Sequence, residues 1–101
     1  MIDLPEEYKR FLASGSREGP LTIDPGWYQL WPLAEIAELN AGYQIEQFAP
    51  GFLAFGSNGG GEILVFDARH RVFMIPAVGM SPDQARLVAD SWTEFENSIE
   101  K

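Results

Sequence analysis

The chain has 101 residues and a net charge of −8, so it is long enough for one small globular domain and too acidic for a nucleic-acid-binding one. Hydrophobic residues make up 46% and aromatic residues 13% of the sequence, which provides one core and excludes a disordered tail. The chain contains no cysteine, which excludes disulfides, thiolate metal ligands and a cysteine nucleophile and fits a reducing compartment.

The basic residues are too scattered to form a surface for nucleic acid or for an anionic membrane. Such a surface needs clustered Lys and Arg side chains, because most of the affinity comes from neutralising phosphates. The basic residues of this chain are Lys9, Arg10, Arg17, Arg69, Arg71, Arg86 and Lys101. An acidic domain suits a basic protein partner, although charge that only keeps the domain soluble explains the composition equally well. With no signal peptide and no stretch of about 18 apolar residues, a cytoplasmic protein is expected.

The first predicted element is a helix from about Leu4 to Ser14. Asp3 is its expected N-cap, Pro5 suits the first turn, and Gly15 ends it. Apolar side chains recur on one face at the helical spacing: Leu4, Tyr8, Phe11 and Leu12. This face is expected to pack on the core.

Turn signals follow the first helix and surround a short apolar run, Leu21–Ile23. The next segment, Trp27–Trp31, has strand propensity. Alternation places Tyr28 and Leu30 on one face of this strand and the other three residues on the opposite face, and either face can be the inner one. A second helix is predicted from about Pro32 to Asn40, with Gly42 ending it.

Three apolar runs come next, and they predict an antiparallel meander. They are Phe52–Phe55, Ile63–Phe66 and Val72–Ile75, all too short for helices. The second and third runs are apolar at nearly every position, which indicates strands covered on both faces. The connections Gly56–Glu62 and Asp67–Arg71 are too short for a parallel crossover, so they are expected to be hairpins.

A last helix is predicted from Ser81, with Pro82 in its first turn and Gln84 completing a capping box. Its apolar stripe is Ala85, Val88, Trp92, Phe95 and Ile99. The resulting order αβαβββα predicts an α+β fold in which about three helices pack on an antiparallel sheet, with residues 1–101 as a single domain.

The glycine-rich stretch FGSNGGGEILVF does not fit a phosphate-binding loop. No lysine follows Gly61, the third glycine of a dinucleotide fingerprint would fall at Leu64, and the segment leads into a strand instead of a helix. Glu62 would also repel an anion. A hairpin loop in which the glycines adopt positive φ is predicted instead.

No motif for catalysis or metal binding is present. His70 lies in the predicted turn, where a residue with positive φ is expected and histidine is tolerated. Carboxylates that could in principle form a hydrolytic pair are Asp24, Glu46, Glu62 and Asp67. Because no spacing connects them and no other ligands surround His70, neither an enzyme nor a cofactor or metal site is predicted.

Aromatic residues next to acidic ones are typical of protein interfaces. Trp27, Tyr28 and Trp31 lie between Asp24 and Glu35, and Trp and Tyr are enriched as interface anchors. The alternative is that these rings belong to the core, since alternation does not show which face of the strand is inside.

Four segments occur in a characteristic order along the chain. They are LPEEYKRFLASG, LWPLAEIAELNAGY, APGFLAFGSNGGGEILVFDARHRVFMIPA and ADSWTEFENSI. Their order resembles the SUKH superfamily, named after a yeast cell-wall-synthesis regulator and its bacterial relatives, over nearly the whole chain. The family pattern often has a glycine about where His70 stands, which agrees with the prediction that His70 is a turn residue.

The resemblance implies an α+β fold and a binding role without catalysis. Bacterial members of the family act largely as immunity proteins that neutralise toxin domains, many of them nucleases, while others resemble intracellular regulators. A basic nuclease surface would be attracted to an acidic partner. The predicted function is therefore a protein-binding domain that neutralises a toxin by occlusion. The alternative is a regulatory domain that senses a ligand in a pocket beside Gly59–Gly61.

The predicted partner-facing residues combine the aromatic segment with the glycine-rich loop. They are Asp24, Trp27, Tyr28, Asn58 and Glu62. No catalytic residue, cofactor, metal or oligomeric state is predicted.

Overall fold

The computed structural model describes residues 3–15 and 17–100, which form an α+β fold around an antiparallel sheet. Six strands follow one another across this sheet in chain order. The strands are β1 (Glu18–Pro20), β2 (Trp27–Leu30), β3 (Leu53–Ser57), β4 (Glu62–Phe66), β5 (Val72–Pro76) and β6 (Arg86–Ala89). The helices are α1 (Glu6–Ser14), α2 (Ile36–Tyr43), α3 (Ile45–Phe48) and α4 (Trp92–Asn97), with 3-10 turns at Leu33–Glu35 and Pro82–Gln84. The predicted fold class and meander are confirmed.

Strands β4 and β5 form the centre of the sheet and are covered on both faces, as their uninterrupted apolar sequences predict. Their register pairs Ile63 with Ile75 and Leu64 with Met74. Since successive residues of a strand point to opposite faces, the first pair belongs to one core cluster and the second pair to another. None of the four side chains is more than 1% exposed.

One face of the sheet carries a cluster of buried rings, Tyr8, Phe55, Phe66 and Trp92, which we call the aromatic core. Helices α1 and α4 cover it. The Tyr8 ring centroid lies 5.1 Å from that of Phe55, 5.5 Å from Phe66 and 5.0 Å from Trp92, all in edge-to-face geometry. Such contacts stabilise a core beyond the area that they bury. Burial raises the pKa of Tyr8 well above its ordinary value, so its hydroxyl stays neutral.

The opposite face has a smaller core that contains no fully buried ring, although the partly buried rings of Trp31, Phe52 and Phe73 pack against it, and we call it the aliphatic core. It consists of Ile45, Ala49, Ala54, Ile63, Val65, Ile75 and Met80. Helix α3 covers this core, and Asn40 of α2 anchors the helices to β3. The Asn40 amide donates to the carbonyl of Ile36 at 2.7 Å and to that of Ala54 at 2.8 Å, and it accepts from the Ala54 N–H at 2.8 Å.

The predicted helix from Ser81 is wrong in its first half. Ser81 makes no side-chain cap, and Pro82–Gln84 is a single 3-10 turn. The following residues form β6, which pairs with β5. This pairing satisfies backbone groups of β6 that a helix would otherwise have satisfied internally, so the segment is stable in extended form.

Helix α4 begins only at Trp92, where the chain has a genuine cap. The Ser91 hydroxyl accepts a hydrogen bond from the Glu94 N–H at 3.1 Å, which is the usual N-cap geometry. The predicted apolar stripe still packs on the aromatic core, although it is divided between strand β6 and helix α4. Its members in that cluster are Val88, Trp92, Phe95 and Ile99, whereas Ala85 packs on the aliphatic core.

The other differences concern element boundaries. Asp3 is not the N-cap of α1, because the helix begins at Glu6 and Pro5 occupies that position without a side-chain cap. Gly42 does not end the second helix, which continues to Tyr43 and ends at Gln44, where the backbone is left-handed with φ 57°. Strand β1 was not predicted, since its sequence Glu-Gly-Pro has low strand propensity and depends on pairing with β2.

In the described part of the chain, no helix is both long and apolar enough to cross a membrane.

Candidate functional site

The glycine-rich stretch forms a hairpin loop that the Asn58 side chain holds together. Asn58 Oδ1 accepts hydrogen bonds from the Gly60 N–H at 2.8 Å and the Glu62 N–H at 3.1 Å, and Asn58 Nδ2 donates to Glu62 Oε1 at 3.1 Å. Gly59 and Gly61 have φ values of 75° and 96°, a region that favours glycine. The loop directs these N–H groups inward to Asn58, which agrees with the predicted hairpin and not with a phosphate site.

A close approach between backbones occurs just before this loop, at Gly56 in β3. A β-carbon at Gly56 would lie 2.5 Å from the Gln29 carbonyl oxygen and 3.3 Å from Leu30 Cα. The register between β3 and β4 also shifts here, between Ala54 and Gly56. This glycine is therefore required by the neighbouring strand β2, and its role is structural.

Arg86 brings the predicted site residues Asp24 and Glu62 together. Its Nε donates to Asp24 Oδ2, while its Nη1 and Nη2 donate to Glu62 Oε2 at 2.7 Å and Oε1 at 3.2 Å. Hydrogen bonds to Glu62 and then to Asp24 raise the pKa of Arg86 further above its ordinary value. The cluster joins the β1–β2 turn to the starts of β4 and β6. Arg86 was not predicted as a site residue, because the apolar spacing around it predicts a helix, whereas it lies in β6.

Exposure separates the aromatic residues that were predicted to face a partner. Trp27 is 40% exposed, and the neighbouring Asp24 side chain is 64% exposed, so both are accessible. Tyr28 is 0% exposed, and its ring packs edge-on against that of Phe95, with centroids 6.2 Å apart. Because a residue without exposed surface cannot contact a partner, the structure contradicts the prediction that Tyr28 faces one.

The turn between β4 and β5 is held by Asp67. Its Oδ1 accepts from the N–H groups of Arg69 at 3.0 Å and Arg71 at 2.8 Å, and its Oδ2 accepts from Arg71 Nε at 2.7 Å. Burial raises the pKa of Asp67, but the hydrogen bonds outweigh it and hold the pKa below its ordinary value. His70 has φ 61°, as predicted for a turn residue, and its Nε2 lies 2.8 Å from the Asp3 carbonyl oxygen.

The carboxylates considered for hydrolysis are mostly engaged in ion pairs. Asp24 and Glu62 bind Arg86, and Asp67 binds Arg71. Within residues 3–15 and 17–100, no group of three or more His, Cys, Asp or Glu side chains is placed to hold a metal ion. These contacts give no support to a hydrolytic site.

Two open recesses border the helices α2 and α3. The larger, of about 1010 Å³, lies between the start of α1, α2 and the start of β3. The smaller has a volume of about 420 Å³, and its lining is Tyr43, Phe48, Ala77, Gly79 and Met80. We call it the apolar recess. None of the glycines 59–61, beside which a pocket was predicted as an alternative, lines either recess.

Exposed apolar side chains surround the apolar recess. Tyr43 is 42% exposed, Phe48 44% and Val78 90%. The Tyr43 ring stacks on that of Trp31, with centroids 5.7 Å apart and an angle of 2° between the planes. This stacking holds Tyr43 in place, so the recess has at least one fixed wall.

The segment that carries these rings is acidic. Glu35, Glu38 and Glu46 are exposed, and none of them pairs with a cation among the described residues. Residues 18–68 contain no Lys, Arg or His. This long interval without a basic residue is readable in the sequence, and it is the signal that could have predicted this acidic surface.

Comparison with known families bears on the whole chain. The SMI1/KNR4 family (SUKH-1) matches residues 1–98, an interval that includes every strand of the sheet and all four helices. A search of curated proteins found no match. The resemblance drawn from the four sequence segments is thereby confirmed, and the chain belongs to the SMI1/KNR4 family (SUKH-1).

Proposed function

We propose that the chain is a non-enzymatic protein-binding domain that acts as an immunity protein. It binds a basic, nuclease-type toxin domain and neutralises it by covering the surface that the toxin uses. Membership of the SUKH family supports a binding role of this kind. A cytoplasmic location belongs to the proposal and is supported by the absence of cysteine.

The charge distribution is the observation that carries this proposal. The side chains of Glu35, Glu38 and Glu46 are exposed, and no described cation pairs with them. Asp24 and Glu62, in contrast, both pair with Arg86. A local negative field of this kind increases the rate at which a basic partner associates and disfavours acidic ones. The field lies beside exposed aromatic side chains, which are the residues that most often anchor interfaces.

Trp27 remains the proposed anchor at one end of the partner surface. Alternation along β2 places it on the same sheet face as Trp31, whose ring stacks on Tyr43. A partner that covers this face can therefore contact Trp27, the neighbouring Asp24 and the acidic helices together. Asn58 and Glu62 contribute through the loop and the ion pair that they maintain, with Glu62 27% exposed in its side chain.

The alternative, a ligand-sensing domain with its pocket beside Gly59–Gly61, has less support. The N–H groups of Gly60 and Glu62 already donate hydrogen bonds to Asn58 Oδ1. The two recesses are lined by other residues. A thermal-shift screen against nucleotides and sugars distinguishes the two functions, because stabilisation by such a ligand is expected only for the sensor.

The test is co-expression of the chain with basic, nuclease-type toxin domains, taken first from any toxin gene that neighbours its own. We expect the cells to survive and the two proteins to co-purify, with an association rate that falls as salt is added. Replacing Glu35 and Glu46 by Gln should slow association more than replacing the exposed acids Asp83 and Asp90 by Asn, although both pairs change the net charge equally. Survival that does not require complex formation, or a metabolite that stabilises the chain while no protein binds, would contradict the proposal.

A further inference from the structure

The apolar recess is the feature that the fold itself does not explain. Its lining residues Tyr43 and Phe48 belong to α2 and α3, and Ala77, Gly79 and Met80 come from the loop after β5. Met80 closes the floor, since it is 9% exposed and belongs to the aliphatic core. The rings of Tyr43 and Phe48 are only partly buried at this site, because roughly two fifths of each remains in water.

Val78 extends the same apolar surface beyond the recess. It is 90% exposed at the tip of the loop between Ala77 and Gly79. Neighbouring exposed apolar residues of this kind mark interaction sites more often than single ones do. The recess offers a concave apolar surface to a protein partner, and Val78 offers a protruding apolar side chain.

A strained residue lies beside the recess. Gln44 joins α2 to α3 with φ 57° and ψ 44°, a conformation that is uncommon for any residue other than glycine. It directs the chain so that Tyr43 lines the apolar recess while Gln44 itself lines the larger one. Such strain often occurs where the fold holds a recognition surface in a fixed shape.

The exposed charges on the helices that border the recess, including Glu46, which itself lines the larger recess, indicate what occupies it. The helices that bear the rings carry Glu38 and Glu46, both exposed, with Glu35 just before them. A second copy of this chain would bring a net charge of −8 against the same acidic surface, which disfavours self-association through the recess. A segment with an apolar side chain beside Lys or Arg is complementary in both shape and charge.

We propose that the apolar recess is the specificity site of the partner surface. It receives an apolar side chain of the partner, while Lys or Arg residues next to that side chain in the partner contact Glu38 and Glu46. This inference rests on the proposed protein-binding function and adds the location and chemistry of the contact.

The experiment uses a phage-displayed library of random peptides selected on the immobilised full chain. The best peptide is synthesised, and its Kd is measured by calorimetry for the wild type and two variants. Phe48→Ala removes a wall of the recess, and Leu87→Ala is the matched control, since it removes an exposed apolar side chain that lines neither recess and belongs to no proposed contact. Circular dichroism and thermal unfolding confirm that both variants are folded.

We expect the selected peptides to combine Lys or Arg with a large apolar residue. Phe48→Ala should weaken binding about tenfold or more, while Leu87→Ala leaves the Kd within about twofold. Replacing the apolar residue of the peptide by Ala should produce a loss of similar size.

Three results would overturn the inference. They are peptides without basic residues, binding that survives Phe48→Ala, or no enriched peptide. If a toxin domain is neutralised while peptide binding survives Phe48→Ala, the recess is not the contact site and the proposed function stands. If the peptides bind the recess while no toxin domain is neutralised, the proposed immunity function is wrong, and the assignment of the recess as a binding site stands.

Discussion

The two faces of the sheet are covered in different ways. On one face, α1 and α4 enclose the aromatic core, where Tyr8, Phe55, Phe66 and Trp92 are at most 1% exposed. On the other face, the helix over the aliphatic core is only four residues long, and Phe48 at its end is 44% exposed. The strands between them supply side chains to both cores.

This difference suggests a division of roles between the faces. The aromatic core uses its rings for edge-to-face contacts within the fold, so these rings contribute to the free energy of unfolding. The rings of Tyr43 and Phe48, at the apolar recess, keep roughly two fifths of their surface in water and contribute less to folding. They remain free to bury that surface against a partner. Substitutions in the aromatic core should therefore mainly lower stability, and substitutions at the apolar recess should mainly weaken binding.

The largest expected effect is that of Trp92→Ala in the aromatic core. Removing a fully buried indole leaves a cavity among Tyr8, Phe55 and Phe95, and we expect a loss of about 3–5 kcal/mol in the free energy of unfolding. Urea unfolding followed by far-ultraviolet circular dichroism measures it. Trp92→Phe, which keeps a ring, should cost less and stay folded if the alanine variant does not. A loss below about 1 kcal/mol for Trp92→Ala would contradict the claim that the rings of the aromatic core stabilise the fold.

Gly56→Ala should have the next largest effect, because the new β-carbon would meet backbone atoms of β2. The Gln29 carbonyl oxygen lies 2.5 Å from that position and cannot move as a flexible side chain would. We expect a loss of about 2–3 kcal/mol, again measured by urea unfolding.

Gly42→Ala is the control for this substitution. Gly42 lies within α2, and a β-carbon there would meet nothing within 4 Å. We expect this variant to be as stable as the wild type or about 0.5–1 kcal/mol more stable. Equal losses for the two alanine variants would show that the close approach between β2 and β3 is not the cause.

Asp67→Asn should show a smaller loss that depends on pH. The pKa of Asp67 is held below its ordinary value in the folded chain, so its charged form stabilises the fold above the unfolded pKa of about 3.9. This stabilisation is lost as the pH falls through the folded pKa. At pH 7 we expect Asp67→Asn to cost about 1.5 kcal/mol, because Asn keeps one acceptor for the turn.

Urea unfolding at several pH values measures this dependence. The difference between wild type and Asp67→Asn should shrink below about pH 4 and vanish below the folded pKa. Asp83→Asn, which changes an exposed acid, is measured alongside as the matched control. A difference for Asp67→Asn that stays constant down to acid pH would contradict the role of the charged turn.

The smallest expected effect on stability is that of Phe48→Ala. Because the ring is 44% exposed, its removal should cost about 1 kcal/mol or less. Loss of binding by this variant, with an unfolding curve close to that of the wild type, would support separate roles for the two faces of the sheet. A loss as large as that of Trp92→Ala would show that both faces serve stability alike.

Local patterns in the sequence predict much of this fold. The apolar spacing of α1, the alternation in Trp27–Leu30 and the uninterrupted apolar runs of β4 and β5 each reflect a nearby physical requirement. The prediction of a helix from Ser81 is wrong because the spacing of its apolar residues is equally compatible with a strand followed by a helix. Pairing with β5 decides between the two structures, and pairing is not visible in one segment.

The candidate site was less predictable because it depends on contacts between distant residues. Arg86 meets Asp24 across 62 positions of the chain and Glu62 across 24, and neither distance can be read from spacing. The apolar recess likewise combines Tyr43 and Phe48 with a loop after β5. Burial of Tyr28 and exposure of Trp27 follow from which face of β2 is inside, which alternation alone leaves open.

Hydrogen–deuterium exchange on the complex between the chain and its neighbouring toxin domain tests the central claim most directly. We predict that complex formation slows exchange in residues 43–48 and 77–80, around the apolar recess, while the aromatic core in α1 and α4 exchanges as in the free chain. Slower exchange confined to residues 24–29 and 57–62, with residues 43–48 unchanged, would contradict the claim.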